Sequence, residues 1–258
     1  MYPLDVTLNG RRNARGLELR LSRIGGCRFI RRCAKYADRI IALENAERLF
    51  LDCLPNNEAK KLVFCGIPMI DSSGLQIQSE PTPDSEIRLL YAGNLSLEAR
   101  NPIPFLDTLE KLAEGLGKRI IFDICGQADE ALRREWTRGY KNIILNERGW
   151  VSEEILNAAI LSADILVNIG NREEHLIPSK LFKYMSAGKP IIHLCSALCD
   201  PCLPYLEVYG GYILLSAEAV ETDSLERFIC NPLTPVTKPE LLFPTCTPEY
   251  TARAISDA

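Results

Sequence analysis

A short segment at residues 178–192, PSKLFKYMSAGKPII, carries the residues best suited to bind an anion. Pro178 and Ser179 suit the start of a helix, and Gly188 suits the position just past its end. The first backbone N–H groups of a helix have no partner inside it and lie at the positive end of the helix dipole. Lys180 adds a cationic side chain at the same place. The segment therefore predicts a site for a phosphate-bearing ligand.

Three glycines, Gly93, Gly126 and Gly170, each follow a short apolar run rich in Ile, Leu and Val. Such runs, without strict alternation, are typical of strands buried on both faces of a parallel sheet. The carboxyl ends of those strands border the ligand crevice of an open α/β sheet, and glycine allows close backbone approach there. We therefore expect a ligand site at this edge.

Strands and helices are predicted to alternate through the centre of the chain. The predicted strands are residues 87–92, 119–125, 142–145, 164–169, 190–194 and 211–215. The predicted helices are residues 104–114, 128–137, a helix capped by Ser152, and 180–187. This alternation predicts an α/β domain with a Rossmann-like, doubly wound parallel sheet.

Upstream, a helix over 17–36, a strand over 39–43, a helix over 45–53 and a strand over 62–67 predict an incomplete second α/β domain. The division that we expect is 1–71 for this domain, 72–85 for a polar linker, and 86–258 for the larger domain, whose final helix packs back toward the N-terminal part.

The chain has 258 residues, of which 47% are hydrophobic and 25% charged, with a net charge of −4. These values are ordinary for a soluble globular protein and speak against a nucleic-acid binder. We expect a cytoplasmic protein, because no apolar run resembles a signal peptide or a membrane span. Basic residues between Arg11 and Lys35 leave two interpretations open: a solvated helix face, or contact with the surface of an anionic membrane.

The ten cysteines are expected to be reduced and mostly buried, because no secretion signal is present. The cluster worth testing as a metal site comprises His193, Cys195, Cys199 and Cys202. The Cys199-x-x-Cys202 spacing suits a metal, but no second pair completes a recognised zinc pattern. We therefore expect no metal.

Residues 178–192, with Asn171 before them, resemble the donor-binding core of GT-B glycosyltransferases of the retaining, group-one type, whose corresponding segment reads P-S-K-x-F-E-Y-x-x-x-G-K-P-I. The segments YAGNLSLEARNP (91–102), FDICGQAD (122–129) and RGWVSEEILNAAILSADILVNIGN (148–171) resemble, in order, the other donor-side strands and turns of that family. The segments YADRIIALENAERLFL (36–51) and KLVFCGIPMID (61–71) resemble the closing part of its N-terminal domain.

The resemblance implies a sugar-nucleotide donor in the larger domain, an acceptor (glycan, lipid or small molecule) held by the other, and no metal or other cofactor. The donor-binding residues that it implies are Gly93, Asn94, Arg100, Gly126, Val151, Asn171, Ser179, Lys180, Leu181, Lys183 and Tyr184. The backbone around Val151 is expected to meet the base, and Arg100 and Lys180 the diphosphate.

Two departures from the family's pattern bear on activity. The glutamate of its F-E-Y, a ribose ligand, is Lys183 here, which has donors and no acceptor. Eight residues earlier, where the family often has a second glutamate, stands His175 beside Glu174, and these two are the candidate catalytic residues. Most of the N-terminal domain is also missing, which predicts an exposed apolar patch, self-association or a partner subunit.

Three functions therefore compete. The first is a truncated glycosyltransferase that keeps its donor site. The second is a non-catalytic nucleotide-sugar-binding module, or one subunit of a split enzyme. The third, an unrelated nucleotide enzyme such as a dehydrogenase, is disfavoured because neither G-x-G-x-x-G nor G-x-x-x-x-G-K-[ST] occurs.

Overall fold

A computed structural model of the chain describes residues 17–75, 81–137, 139–171, 177–196 and 200–256, with side chains from Gly25 onward except that of Asn45. The elements are α1 Leu17–Tyr36, β1 Ile40–Leu43, α2 Glu47–Cys53, α3 Asn56–Ala59, β2 Leu62–Cys65, β3 Glu86–Ala92, α4 Ile103–Leu116, β4 Arg119–Cys125, α5 Glu130–Trp136, β5 Ile143–Glu147, α6 Glu153–Ser162, β6 Ile165–Ile169, α7 Lys180–Ser186, β7 Ile191–Cys195, α8 Leu203–Tyr209, β8 Tyr212–Ser216, α9 Thr222–Cys230, α10 Pro239–Leu242 and α11 Pro248–Ser256.

The larger of two compact units, Met69–Pro244, is built on a six-stranded sheet in the order β5-β4-β3-β6-β7-β8. Every neighbouring pair of strands is parallel. All five residues of β6 are buried, as expected for a strand with helices over both faces of the sheet. The predicted fold class, α/β with a doubly wound parallel sheet, is confirmed.

The helix α4 shows how the sequence pattern builds this layer. Its apolar residues recur at helical spacing, and all of them are buried: Phe105, Leu106, Leu109, Leu112 and Ala113. The helix ends at Gly117, whose φ of 64° is a left-handed conformation that favours glycine. Burial of each of the larger side chains contributes about 1.5–3 kcal/mol.

The helix α6 begins where the sequence predicted, because Ser152 accepts a hydrogen bond from the N–H of Ile155 at 3.4 Å. Three further helices of the larger unit, α8, α9 and α10, were missed. None has a side-chain hydrogen bond at its N-cap, and they have only seven, nine and four residues, so the signals that mark a helix start are weak.

The smaller unit comprises Met1–Pro68 together with Thr245–Ala258. Within it, β1 and β2 form a parallel pair, and α11 packs on β2. Its core is formed by Ile30, Ala34, Ala42, Phe50, Cys53 and Leu54. A disulfide joins Cys27 to Cys53, so the expectation that all cysteines are reduced is wrong for this pair. The expectation was based on the absence of a secretion signal alone. The fold brings the two Cα atoms to 5.0 Å from each other, a distance that suits a disulfide. Among the described helices, none has the length and apolar character required to cross a membrane.

Candidate functional site

The edge of the sheet formed by the carboxyl ends of β3 and β6 is the natural place for a ligand. These two strands are neighbours, although the chain first moves outward from β3 to β4 and β5 and returns later to β6. Such a reversal of strand order opens a crevice between the loops that leave the two strands. The predicted residues Gly93, Asn94 and Arg100 follow β3, and Asn171 follows β6.

The turns after β3 and β4 approach each other closely. A side chain on Gly126 would collide with the backbone carbonyl of Gly93, and both glycines have positive φ, 156° and 137°. The N–H of Gly93 donates to the carbonyl of Cys125 at 2.8 Å, and the side chain of Asn94 accepts from the N–H of Gln127 at 3.1 Å. Glycine is therefore needed at Gly126, where the two turns pass each other.

Arg100 and Asn171 meet across the crevice. The Nη2 atom of Arg100 donates to Oδ1 of Asn171 at 2.6 Å, and both residues are partly exposed. The bond joins the loop after β3 to the loop after β6. It holds a permanently charged, planar guanidinium at the mouth of the crevice, a geometry that suits phosphate oxygens.

Lys180 lies deeper than a residue at the start of a helix would suggest. Its ammonium group donates to the hydroxyl of Tyr91 at 3.0 Å and to the carbonyl of Ala92, and lies 4.1 Å from the centroid of the Tyr91 ring. A side chain on Gly93 would collide with it. Burial, and after it the charge of Arg100, lowers the pKa of Lys180 to about 7. A pKa near 7 leaves part of the amine uncharged at neutral pH.

Two buried tyrosines, Tyr91 and Tyr184, form hydrogen bonds at the end of β3, beside Lys180. The hydroxyl oxygen of Tyr184 accepts a hydrogen bond from the N–H of Ala92 at 2.6 Å, and that of Tyr91 donates to the carbonyl of Asn94 at 3.2 Å. Both side chains are fully buried, and burial raises the pKa of Tyr91 to about 12 and that of Tyr184 further. Tyr184 therefore positions the end of β3 from within the core.

The start of α7 differs in one respect from the anion site that the sequence predicted. The N–H of Leu181 donates to the carbonyl of Pro178 at 3.0 Å, so this donor is already engaged. Ser179 precedes the helix and is exposed, but makes no side-chain capping bond. The cationic side chains of Arg100 and Lys180 therefore suit an anion better than the start of α7 does.

Lys183 pairs with an acid that sequence reasoning did not connect with it. Its ammonium group donates to Glu153 at 2.7 Å, in the first turn of α6, and this bond lowers the pKa of Glu153. Glu153 stands two residues after Val151, the residue expected to meet the base. Lys183 is 16% exposed and Glu153 79% exposed, so the carboxylate side of the pair faces solvent. Glu174 and His175, the candidate catalytic residues, lie outside the described residues.

A second polar cluster occupies the next pair of strand ends. Nε2 of His193 on β7 lies 2.8 Å from Oδ2 of Asp200, and Nδ1 lies 2.8 Å from Nδ2 of Asn168 on β6. Cys202, also buried, lies beside them. The sequence singled out His193 and Cys202 but missed Asp200, because a lone aspartate in a loop has no distinctive signal. Cys195 is half-buried, and Cys199 lies outside the described part.

No protein-family model matches the chain, and no curated protein sequence matches it. Solved structures match its fold. Anabaena HepE, in complex with UDP and glucose, matches with a TM-score of 0.54 and 11% identity over 92% of this chain and 67% of its own. The lipopolysaccharide outer core galactosyltransferase WaaB, in its apo form, matches with a TM-score of 0.53 and 18% identity over 87% of this chain and 63% of its own.

A third match is AviGT4, a glycosyltransferase involved in avilamycin A biosynthesis, with a TM-score of 0.51 and 14% identity over 91% of this chain and 80% of its own. The chain thus spans about two thirds of the length of the first two structures. The chain has the GT-B fold of these proteins. At such identities the likeness establishes the fold, and the chemistry must be argued from the residues.

Proposed function

We propose that this GT-B chain binds a nucleotide-sugar donor at the carboxyl edge of its six-stranded sheet and serves the transfer of that sugar to an acceptor. The observation that carries the proposal is the 2.6 Å hydrogen bond between Arg100 and Asn171. It places a fixed cation where the strand order reverses, beside the close turns at Gly93 and Gly126. Crevices of this kind bind nucleotides in open α/β sheets.

The chemistry of glycosyl transfer fits the charge of this site. When the bond between sugar and phosphate breaks, negative charge develops on the departing nucleoside diphosphate, and prearranged cations stabilise it. Arg100 supplies a charge that does not titrate. Lys180 becomes more fully protonated when an anion is present, because an anion raises the pKa of a neighbouring amine. With two cations in place, the transfer itself needs no metal.

The structural neighbours support the same ligand class. HepE was crystallised with UDP and glucose, and WaaB is named as a galactosyltransferase. In this chain the backbone around Val151 would meet the base, and Glu153, two residues further on and paired with Lys183, would offer a carboxylate to a sugar hydroxyl. Glu174 and His175 remain the predicted catalytic residues, and a retaining outcome remains part of this proposal.

A second function is favoured by one specific observation, the pair of Lys183 with Glu153. Lys183 has no acceptor for a ribose hydroxyl, so a chain that binds the donor without turning it over, as a module or as one subunit of a split enzyme, fits this pair. A partner subunit or a second copy held by the smaller unit, contact with a membrane surface and a cytoplasmic location also remain predictions.

Thermal stabilisation of the chain by a panel of UDP-, GDP- and dTDP-sugars, followed by calorimetry of each hit, tests the proposal. We expect at least one donor to raise the melting temperature, because a ligand that binds only the folded state stabilises it. An assay for release of free nucleoside diphosphate then separates an enzyme from a binding module. If no member of the panel binds, both the transferase proposal and the binding-module proposal are wrong.

A further inference from the structure

The buried cluster of His193, Asp200 and Cys202 has no part in the donor site proposed above. The three side chains are fully or almost fully buried in the larger unit. One nitrogen, one carboxylate oxygen and one sulfur of the three lie within 4.8 Å of one another. These are the three donor types that Zn²⁺ takes in proteins, and the site is too deep for the exchange of substrates that a catalytic role would need.

The positions of the protons in this cluster leave one buried oxygen, Oδ1 of Asn168, without a hydrogen bond. Nδ2 of Asn168 can only donate, so Nδ1 of His193 must accept from it, and the proton of the neutral ring then sits on Nε2 and points at Asp200. This arrangement leaves Oδ1 of Asn168 buried and without a hydrogen-bond partner among the described residues. A buried acceptor left in this way is costly.

Rotation of the Asn168 amide by half a turn gives Oδ1 a partner and makes Nε2 of His193 available to bind a cation. Oδ1 of Asn168 then accepts a proton from Nδ1 of His193, and the lone pair of Nε2 faces Oδ2 of Asp200. Two lone pairs 2.8 Å apart repel each other, so either a proton or a metal ion must then be shared by Nε2 and Oδ2. A histidine that binds a metal through one nitrogen and donates its other N–H to an amide carbonyl is the usual arrangement of a metal site.

We propose that Nε2 of His193, the carboxylate of Asp200 and Sγ of Cys202 bind a divalent transition-metal ion of the Zn²⁺ type, and that Asn168 orients His193 for it. On binding, the proton of His193 moves from Nε2 to Nδ1, and the thiol of Cys202 releases its proton to solvent. The thiolate and the carboxylate together balance the two charges of the ion. No metal was expected from the sequence, because the cluster considered there was His193 with Cys195, Cys199 and Cys202, which matches no recognised zinc pattern and leaves out Asp200.

The position of the site indicates a structural role. Oδ2 of Asp200 lies 2.5 Å from the place that a side chain on Gly170 would occupy, and Gly170 donates its N–H to the carbonyl of Leu194 at 2.9 Å. The ion would therefore hold the segment after β7 against the end of β6. Gly170 immediately precedes Asn171, so this segment supports the loop that bears the donor site.

Metal analysis of the full chain, purified without an affinity tag and incubated with equimolar Zn²⁺ before desalting, tests the proposal. We expect one equivalent of zinc, and with Co²⁺ in its place a thiolate-to-cobalt charge-transfer band. Cys202→Ser should abolish that band, whereas Cys230→Ser, which changes an exposed free cysteine of the same unit, should leave it unchanged. A chain that retains no metal overturns the proposal, and so does a band that persists in Cys202→Ser.

The role of Asn168 is tested by its own pair of variants. Asn168→Leu removes the acceptor and should weaken zinc binding by about 10–100-fold in competition with a chromophoric chelator. Asn168→Asp keeps an acceptor for Nδ1–H and should retain the affinity of the parent. Equal losses in both variants would show that Asn168 only fills space. Because these assays contain no nucleotide, their failure leaves the donor-site proposal untouched.

Discussion

Two polar clusters stand on neighbouring strand ends of one sheet, and they differ in how their charge is balanced. At β3 and β6, the hydrogen bonds described for Arg100 and Lys180 run to uncharged oxygens. At β6 and β7, His193 meets an acid, Asp200, inside the protein. Two cations without a described carboxylate partner fit the proposed site for an external anion, whereas the second cluster brings a base and an acid together, which fits the proposed metal site.

The largest effect is expected from His193→Leu, which breaks the internally balanced cluster. The change removes the His193 ring that bonds to the buried carboxylate of Asp200, and leaving a buried charged group with a missing hydrogen bond costs about 1–3 kcal/mol or more. Urea unfolding of the larger unit measures the loss. Arg100→Ala serves as the control and should leave the free energy of unfolding within about 0.5 kcal/mol of the parent. Equal losses in the two variants would erase the distinction between the clusters.

Lys180→Met should separate binding from stability in the cationic cluster. The pKa of Lys180, lowered to about 7, means that its charge disappears as the pH rises through that value. Affinity for UDP-glucose, whose phosphates keep a constant charge in this range, should therefore fall from pH 6 to pH 9. The variant should bind UDP-glucose about tenfold more weakly than the parent at pH 6, because it lacks about one charge-assisted hydrogen bond. Its affinity should not change between pH 6 and pH 9.

The stability of Lys180→Met is expected to equal or exceed that of the parent near neutral pH. In the unfolded chain the amine has its ordinary pKa, so the unfolded state binds more protons between pH 7 and pH 10, and the parent gains stability as the pH rises there. The variant lacks this gain. If the donor affinity or the free energy of unfolding of Lys180→Met still changes with pH as in the parent, a group other than Lys180 titrates.

Asn171→Ala tests whether the bond to Arg100 only orients the guanidinium. Its removal should weaken donor binding by a few-fold, because Arg100 keeps its charge and loses one neutral partner of about 1 kcal/mol. Calorimetry at a single pH suffices. A loss as large as that caused by removal of Arg100 itself would show that Asn171 contacts the ligand directly.

The smallest effect is expected where Lys183 pairs with Glu153. Lys183→Glu combined with Glu153→Lys keeps the ion pair and moves the carboxylate onto α7, so donor binding should strengthen by a few-fold. Lys183→Glu alone would place two acids together and should gain less. If neither variant binds more tightly than the parent, the idea that Lys183 impairs recognition of the ribose is wrong.

The same contrast explains what could be predicted from the sequence. The strands of the larger unit were predicted within two residues because they are apolar runs that end at Gly93, Gly126 and similar turns. Arg100 and Asn171 were predicted through the resemblance to the GT-B donor-binding segments. Sequence did not show that Lys180 contacts Tyr91, that Lys183 meets Glu153, or that Asp200 meets His193, because each of these contacts joins segments that only the packed fold brings together.

Arg100 provides the most direct test of the donor site. Calorimetry with the UDP-, GDP- and dTDP-sugars should show one-to-one binding of at least one donor to the parent chain and a loss of about 10–100-fold in Arg100→Ala, as expected for a hydrogen bond to a charged group. Arg133→Ala, which changes an exposed arginine paired with Glu147 on the same unit, should bind like the parent. Equal affinity in all three proteins, or no binding to any of them, would contradict a donor site at the ends of β3 and β6.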